Sequence, residues 1–174
     1  MSRQEVFVRM GEYAVTGTPT EVLTTIGLGS CVGLVLLDGA RAVAGMAHVV
    51  FPQHPAHKPL SQPGRYGDTA VATLLAALTN LGAVREAIEA VVVGGARMFS
   101  FARPSQLDIG AANVSVVTAS LGHAGIPIRA TATGGSIGRS VRVLAGVVSL
   151  REAGASDNEL YASPGRSARE VTAP

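Results

Sequence analysis

The sequence has no tryptophan and only four phenylalanines and three tyrosines, so it offers no aromatic platform on which nucleic acid bases would stack. Positive charge is also thin. The formal net charge is +2 and the arginines are scattered singly from Arg3 to Arg169, so the sequence pI of about 9.1 reflects no basic stripe, and nucleic acid is not an expected partner. A single cysteine, Cys31, excludes an internal disulfide and the stapled architecture of small secreted domains. No apolar run approaches the roughly 18 to 20 residues that span a bilayer; stretches such as Ile88 to Val93 are strand-sized, and membrane insertion is not expected. The opening Met1-Ser2-Arg3-Gln4-Glu5-Val6 lacks a basic segment followed by an apolar one, so a secretory signal is not expected and the cytoplasm is the expected compartment. Charged residues make up only 15% against 47% hydrophobic, which places the chain among folded proteins with a large core. At 174 residues one such core suffices.

Two apolar stretches, Val32 to Leu37 and Ala42 to Phe51, flank Asp38-Gly39-Ala40-Arg41, and this pattern predicts a β-hairpin. Pro52 to Gly67 carries four prolines, His54, His57 and the only lysine, Lys58; that is loop composition, and the loop is expected to border the site. The spacing of Val71, Leu74, Leu75 and Leu78 predicts a helix from Asp68 to about Leu81, with Gly82 as its stop. Ile88 to Val93 reads as a buried strand ending at Gly94-Gly95, and Asn113 to His123 as a second helix. Short strands are expected over Ile128 to Thr133, Ser140 to Leu144 and Val147 to Arg151. Hairpins with only two helices predict an α+β fold, a layered β structure covered by helices. Residues 1–152 form the expected single domain. The Ala/Ser/Gly/Pro-rich remainder, 153–174, has too few large apolar residues to bury and is expected to be a flexible tail.

The chemistry candidates converge on the hairpin. Cys31 follows Thr24-Thr25-Ile26-Gly27-Leu28-Gly29-Ser30, where a glycine-rich turn meets a strand. There the backbone can approach a ligand and its N–H groups can face a developing oxyanion, which makes Gly29 and Ser30 candidate substrate-binding residues. A lone cysteine also serves commonly as a small buried hydrophobe. Centring the hairpin turn between Gly39 and Ala40 sets Cys31 directly opposite His48; a turn centred on Asp38-Gly39 makes His48 a diagonal neighbour on the same face instead. An imidazole beside a thiol promotes the thiolate nucleophile, so Cys31 and His48 are the candidate catalytic pair. No acidic residue lies near His48 on these strands. Thr25 is the nearest polar group for orienting the ring, and a strand-end threonine bonded to backbone is the plainer reading of it. His54 and His57 lack further ligands at metal-site spacing. Gly134-x-x-x-Gly138-Arg139 lacks the end of a phosphate loop and reads as a turn.

Leu23-Thr24-Thr25-Ile26-Gly27-Leu28-Gly29-Ser30-Cys31 with Gly45-Met46-Ala47-His48 resembles the CheD family of chemoreceptor glutamine deamidases. The similarity continues through Gly94-Gly95-Ala96-Arg97-Met98-Phe99, Ile109-Gly110-Ala111-Ala112-Asn113-Val114 and Gly134-Gly135-Ser136-Ile137-Gly138-Arg139. The chain departs from the pattern at Thr131-Ala132-Thr133, where an acidic residue is expected. The resemblance implies a Cys-His-Thr site of Cys31, His48 and Thr25, in a β-sandwich flanked by helices and similar to deamidating toxin cysteine hydrolases. It implies hydrolysis of glutamine side chains of methyl-accepting chemoreceptors to glutamate through a Cys thioester, with no metal or organic cofactor. It also implies a receptor methylesterase side activity and a CheC-type phosphatase as partner. Two rival functions follow from the same residues: a non-catalytic chemotaxis adaptor, and a redox sensor using Cys31, which lacks a resolving cysteine.

Overall fold

A computed structural model of the chain describes residues 3–98 and 108–165. Among these residues, ten strands form two five-stranded sheets. The first holds β1 (Gln4–Phe7), β3 (Glu21–Leu28), β8 (Arg139–Leu144), β9 (Val147–Glu152) and β10 (Asn158–Ala162), side by side in that order. The second holds β2 (Tyr13–Thr16), β5 (Val43–Val49), β4 (Val32–Asp38), β6 (Glu89–Gly94) and β7 (Ile128–Thr133). Helices α1 (Gly67–Asn80) and α2 (Ile109–Ala124) complete it. Neither is long and apolar enough to cross a membrane.

Period-two alternation on β4 divides the core. Val32, Leu34 and Leu36 face α1 and α2 with Leu74, Leu78, Val117 and Leu121. Cys31, Val35 and Leu37 face the first sheet with Leu23, Leu28, Val141 and Val143. Because β4 is buried on both faces, every one of its residues is apolar until Asp38, the pattern of a central strand. The expected α+β layering is present, but among the described residues both helices pack on the second sheet and against each other, so helices cover one outer face of the two-sheet stack and not both. Val32, Leu34 and Leu36 of β4 with Ala47 and Val49 of β5 and Val92 of β6 give the second sheet a broad apolar outer face, and both helices cover it.

The stretch after Glu152 also differs from expectation. Asn158–Ala162 pairs antiparallel with β9, so the sheet runs past the expected domain end. Composition concealed this strand because polar contacts as well as apolar ones hold it: Glu89 accepts hydrogen bonds from the Tyr161 hydroxyl at 2.6 Å and from Ser163 at 3.1 Å. Residues 166–174 of the expected tail, and Phe99 of the motif begun at Gly94, lie outside the described residues.

Candidate active site

The β4–β5 hairpin has a register neither sequence alternative gave. Gly33 pairs with His48 and Val32 with Val49, two residues from the expected Cys31–His48 pairing. The cause is the turn: Gly39–Arg41 forms a 3-10 turn closed by Ala42 in the left-handed region at φ 54°, so the loop is longer than a two-residue reversal. A shift of two preserves the face. Cys31 and His48 therefore still share the inter-sheet side as diagonal neighbours, and the residue directly opposite His48 is glycine, with no side chain to intervene.

Thr25 comes from the first sheet. β3 pairs with β1 and β8, and Thr25, 1% exposed, reaches across the inter-sheet space to His48, 2% exposed. The Thr25 Oγ1 to His48 Nδ1 separation is 2.8 Å. The same hydroxyl donates to the Val8 carbonyl at 2.7 Å. A hydroxyl has one proton to give, and here it goes to Val8, so Oγ1 accepts from an Nδ1–H. That fixes the tautomer. Nε2 becomes the lone-pair nitrogen, buried and without a hydrogen-bond partner. The Val8 carbonyl, absent from the sequence reading, is the anchor behind Thr25; the only signal for it was a β-branched residue in a short N-terminal strand region.

Burial lowers the His48 pKa below the ordinary imidazole value, opposed by the Val8 carbonyl and the Glu12 charge. Burial raises the Cys31 thiol, opposed by the Arg65 guanidinium. Both groups thus rest neutral at pH 7. No hydrogen bond joins them in this structure, because Nε2 has no partner; what is present is an imidazole and a thiol on one face of the sheet.

Gly29–Cys31 is a three-residue link between β3 and β4, shorter than the glycine-rich loop read from sequence, because β3 extends to Leu28. All three of its carbonyls are occupied: Gly29 O accepts from Ala96 N at 2.7 Å, Cys31 O from Gly95 N at 2.8 Å, and Ser30 O from Asn113 Nδ2 at 2.9 Å. Gly94, at φ 107°, lies so close that a Cβ there would overlap the Cys31 carbonyl. The loop after Pro52 does border the site: Val50 N and Phe51 N donate to the Arg65 carbonyl at 2.8 and 3.1 Å, and the Arg65 guanidinium lies over the Phe51 ring. His54 and His57 are not part of it. The His54 N–H is held by Asp68 and its ring meets Tyr66 edge-on.

Comparison with known proteins now bears on this geometry. Residues 50–151 match the family described as CheD chemotactic sensory transduction. A protein of Symbiobacterium thermophilum named "Probable chemoreceptor glutamine deamidase CheD" is 40% identical over 157 residues, 88% of this chain and 95% of that one. Proteins named "Chemoreceptor glutamine deamidase CheD" from Halalkalibacterium halodurans and Thermotoga maritima are 44% and 42% identical, covering 71% and 77% of this chain and 78% and 82% of theirs. Among solved structures, a Neisseria meningitidis DUF152 protein gives a TM-score of 0.46 at 10% identity, covering 77% of this chain and 63% of that one. The chain is a member of the CheD family.

Proposed function

We propose that this protein hydrolyses glutamine side chains of methyl-accepting chemoreceptors to glutamate, with Cys31 as nucleophile, His48 as general base and acid, and Thr25 as the group that orients His48. The observation that carries the reading is the Thr25–His48 hydrogen bond, which leaves an unpartnered Nε2 on the sheet face that also bears Cys31. The names of the CheD relatives supply the substrate.

The steps follow from this placement. Closure of Cys31 on His48 lets Nε2 take the thiol proton as Sγ attacks the carboxamide carbon. The C–N bond then breaks, the imidazolium gives its proton to the leaving nitrogen, and ammonia departs from a thioester. Water attacks the thioester carbon, His48 receives its proton, and glutamate and the free thiol are released. Gly29 and Ser30 border the substrate, and main-chain N–H groups beside Cys31 face the oxyanion. Attack of the Cys31 sulfur on a receptor glutamyl methyl ester gives the same thioester, with the C–O bond breaking and methanol leaving in place of ammonia. A CheC-type phosphatase is the proposed partner, and the cytoplasm the proposed compartment. The reading also carries the proposed kinship with deamidating toxin cysteine hydrolases. It calls for no metal or organic cofactor.

The test is mass spectrometry of a receptor signalling fragment after incubation with the chain. A gain of about 1 Da at particular glutamines, the difference between CONH₂ and COOH, is expected. Binding of the fragment with no gain at any glutamine would replace the enzyme with an adaptor.

A further inference from the structure

Asn113 sits in the first turns of α2, fully buried, and its side chain does not serve the helix. Its Nδ2 donates to two main-chain carbonyls far away in sequence, Ser30 at 2.9 Å and Val50 at 3.0 Å. Two acceptors facing one end of the amide fix which end is nitrogen. Ser30 immediately precedes Cys31, and Val50 follows His48 by two residues. One amide therefore ties together the ends of the two strands that carry the proposed pair.

The tie to Ser30 has a directional consequence. Among the described residues every peptide bond is trans, and a trans peptide holds its C=O and the following N–H on opposite sides. Drawing the Ser30 carbonyl toward α2 turns the Cys31 N–H away from it. The Ser30 N–H is turned in the same manner, because the Gly29 carbonyl is held by Ala96 N. Among the described residues, neither N–H is engaged by a backbone or side-chain acceptor. We infer that Asn113 is a positioning residue for the oxyanion site: it orients the Ser30–Cys31 peptide so that the Cys31 N–H meets the tetrahedral oxyanion, and holds that peptide in register with the His48 strand.

This inference rests on the Cys31 reading above, and the experiment separates the two. Asn113→Ala and Asn113→Ser are compared with wild type and Cys31→Ala in two assays: deamidation of a receptor fragment, resolved into kcat and KM, and alkylation of Cys31 by iodoacetamide. Alkylation consumes the thiolate but develops no oxyanion, so it reports on the sulfur alone. Because the chain has one cysteine, alkylation reports on Cys31 alone, and activity is expressed per folded molecule, with the folded fraction read from the cooperative unfolding transition of each variant. Removing an oxyanion donor outright costs on the order of 10² to 10³ in kcat, so loosening one is expected to lower kcat by about 10- to 100-fold. KM and the alkylation rate should stay within about threefold. A kcat per folded molecule within twofold of wild type, or a parallel fall in kcat and alkylation, overturns the role of Asn113 while leaving Cys31 in place. Full activity in Cys31→Ala overturns the nucleophile instead.

Discussion

The hydrogen bonds of Thr25 set the expectations at the scale of single residues. Thr25→Val removes the hydroxyl while keeping the shape, leaving the Val8 carbonyl and the His48 Nδ1–H unpaired; leaving such buried groups unsatisfied costs about 1–3 kcal/mol each. Urea unfolding should show a loss in that range and kcat should fall by roughly 10-fold or more as the imidazole loses its orientation, whereas Thr25→Ser should retain most of both. Burial of His48 gives a second expectation. Its folded pKa lies below the ordinary imidazole value, so between the two values the unfolded chain binds more protons. Stability is then present above the ordinary value and falls as the pH drops toward the folded one. Unfolding free energy measured across that window should decline toward acid, and His48→Gln should flatten the decline. The same depression predicts that kcat/KM keeps its basic form of His48 to a pH below the ordinary imidazole range. What the sequence revealed here was the parity of the hairpin: Cys31 and His48 share a face in any register shifted by two. It did not reveal Val8 or Asn113, because their contacts join segments distant in sequence and leave no local pattern.

Between elements, the site depends on how closely the end of β6 approaches the start of β4. Gly94 combines a positive φ with contact against the Cys31 carbonyl, so Gly94→Ala brings strain of about 1–3 kcal/mol together with a steric overlap of similar size. We expect a drop of a few kcal/mol in unfolding free energy and a disproportionate loss of activity per folded molecule, checked by urea titration alongside deamidation. The strongly patterned elements, β4, β5, α1, β6 and α2, were legible because each buries a long apolar face. Both β1 and β2 were missed, since four-residue strands on sheet edges carry too few residues to show a period. In β3, glycine at position 27 and exposed Ile26 disguised a strand as a glycine-rich loop.

For the molecule as a whole, stability resides in two cores on either side of the second sheet. Leu23, fully buried between the sheets, has no polar role, and Leu23→Ala should cost about 2–5 kcal/mol, read as a lowered denaturation midpoint with unchanged slope. At the far edge, the Tyr161 phenol is pushed up to about 12 by partial burial and by the Glu89 carboxylate that accepts its hydrogen bond. A phenol with a raised folded pKa stabilises the protein below its ordinary value, and that contribution is lost as the pH rises toward 12. Alkaline spectrophotometric titration should show one phenol ionising near 12 that disappears in Tyr161→Phe. This contact explains why composition alone placed the end of the domain too early. The central claim concerns Cys31 and is tested most directly by the deamidation rate of a receptor fragment with wild type and with Cys31→Ala, each shown to be folded. Loss of the nucleophile should lower the rate by at least about 10³-fold; equal rates in the two proteins would contradict the account.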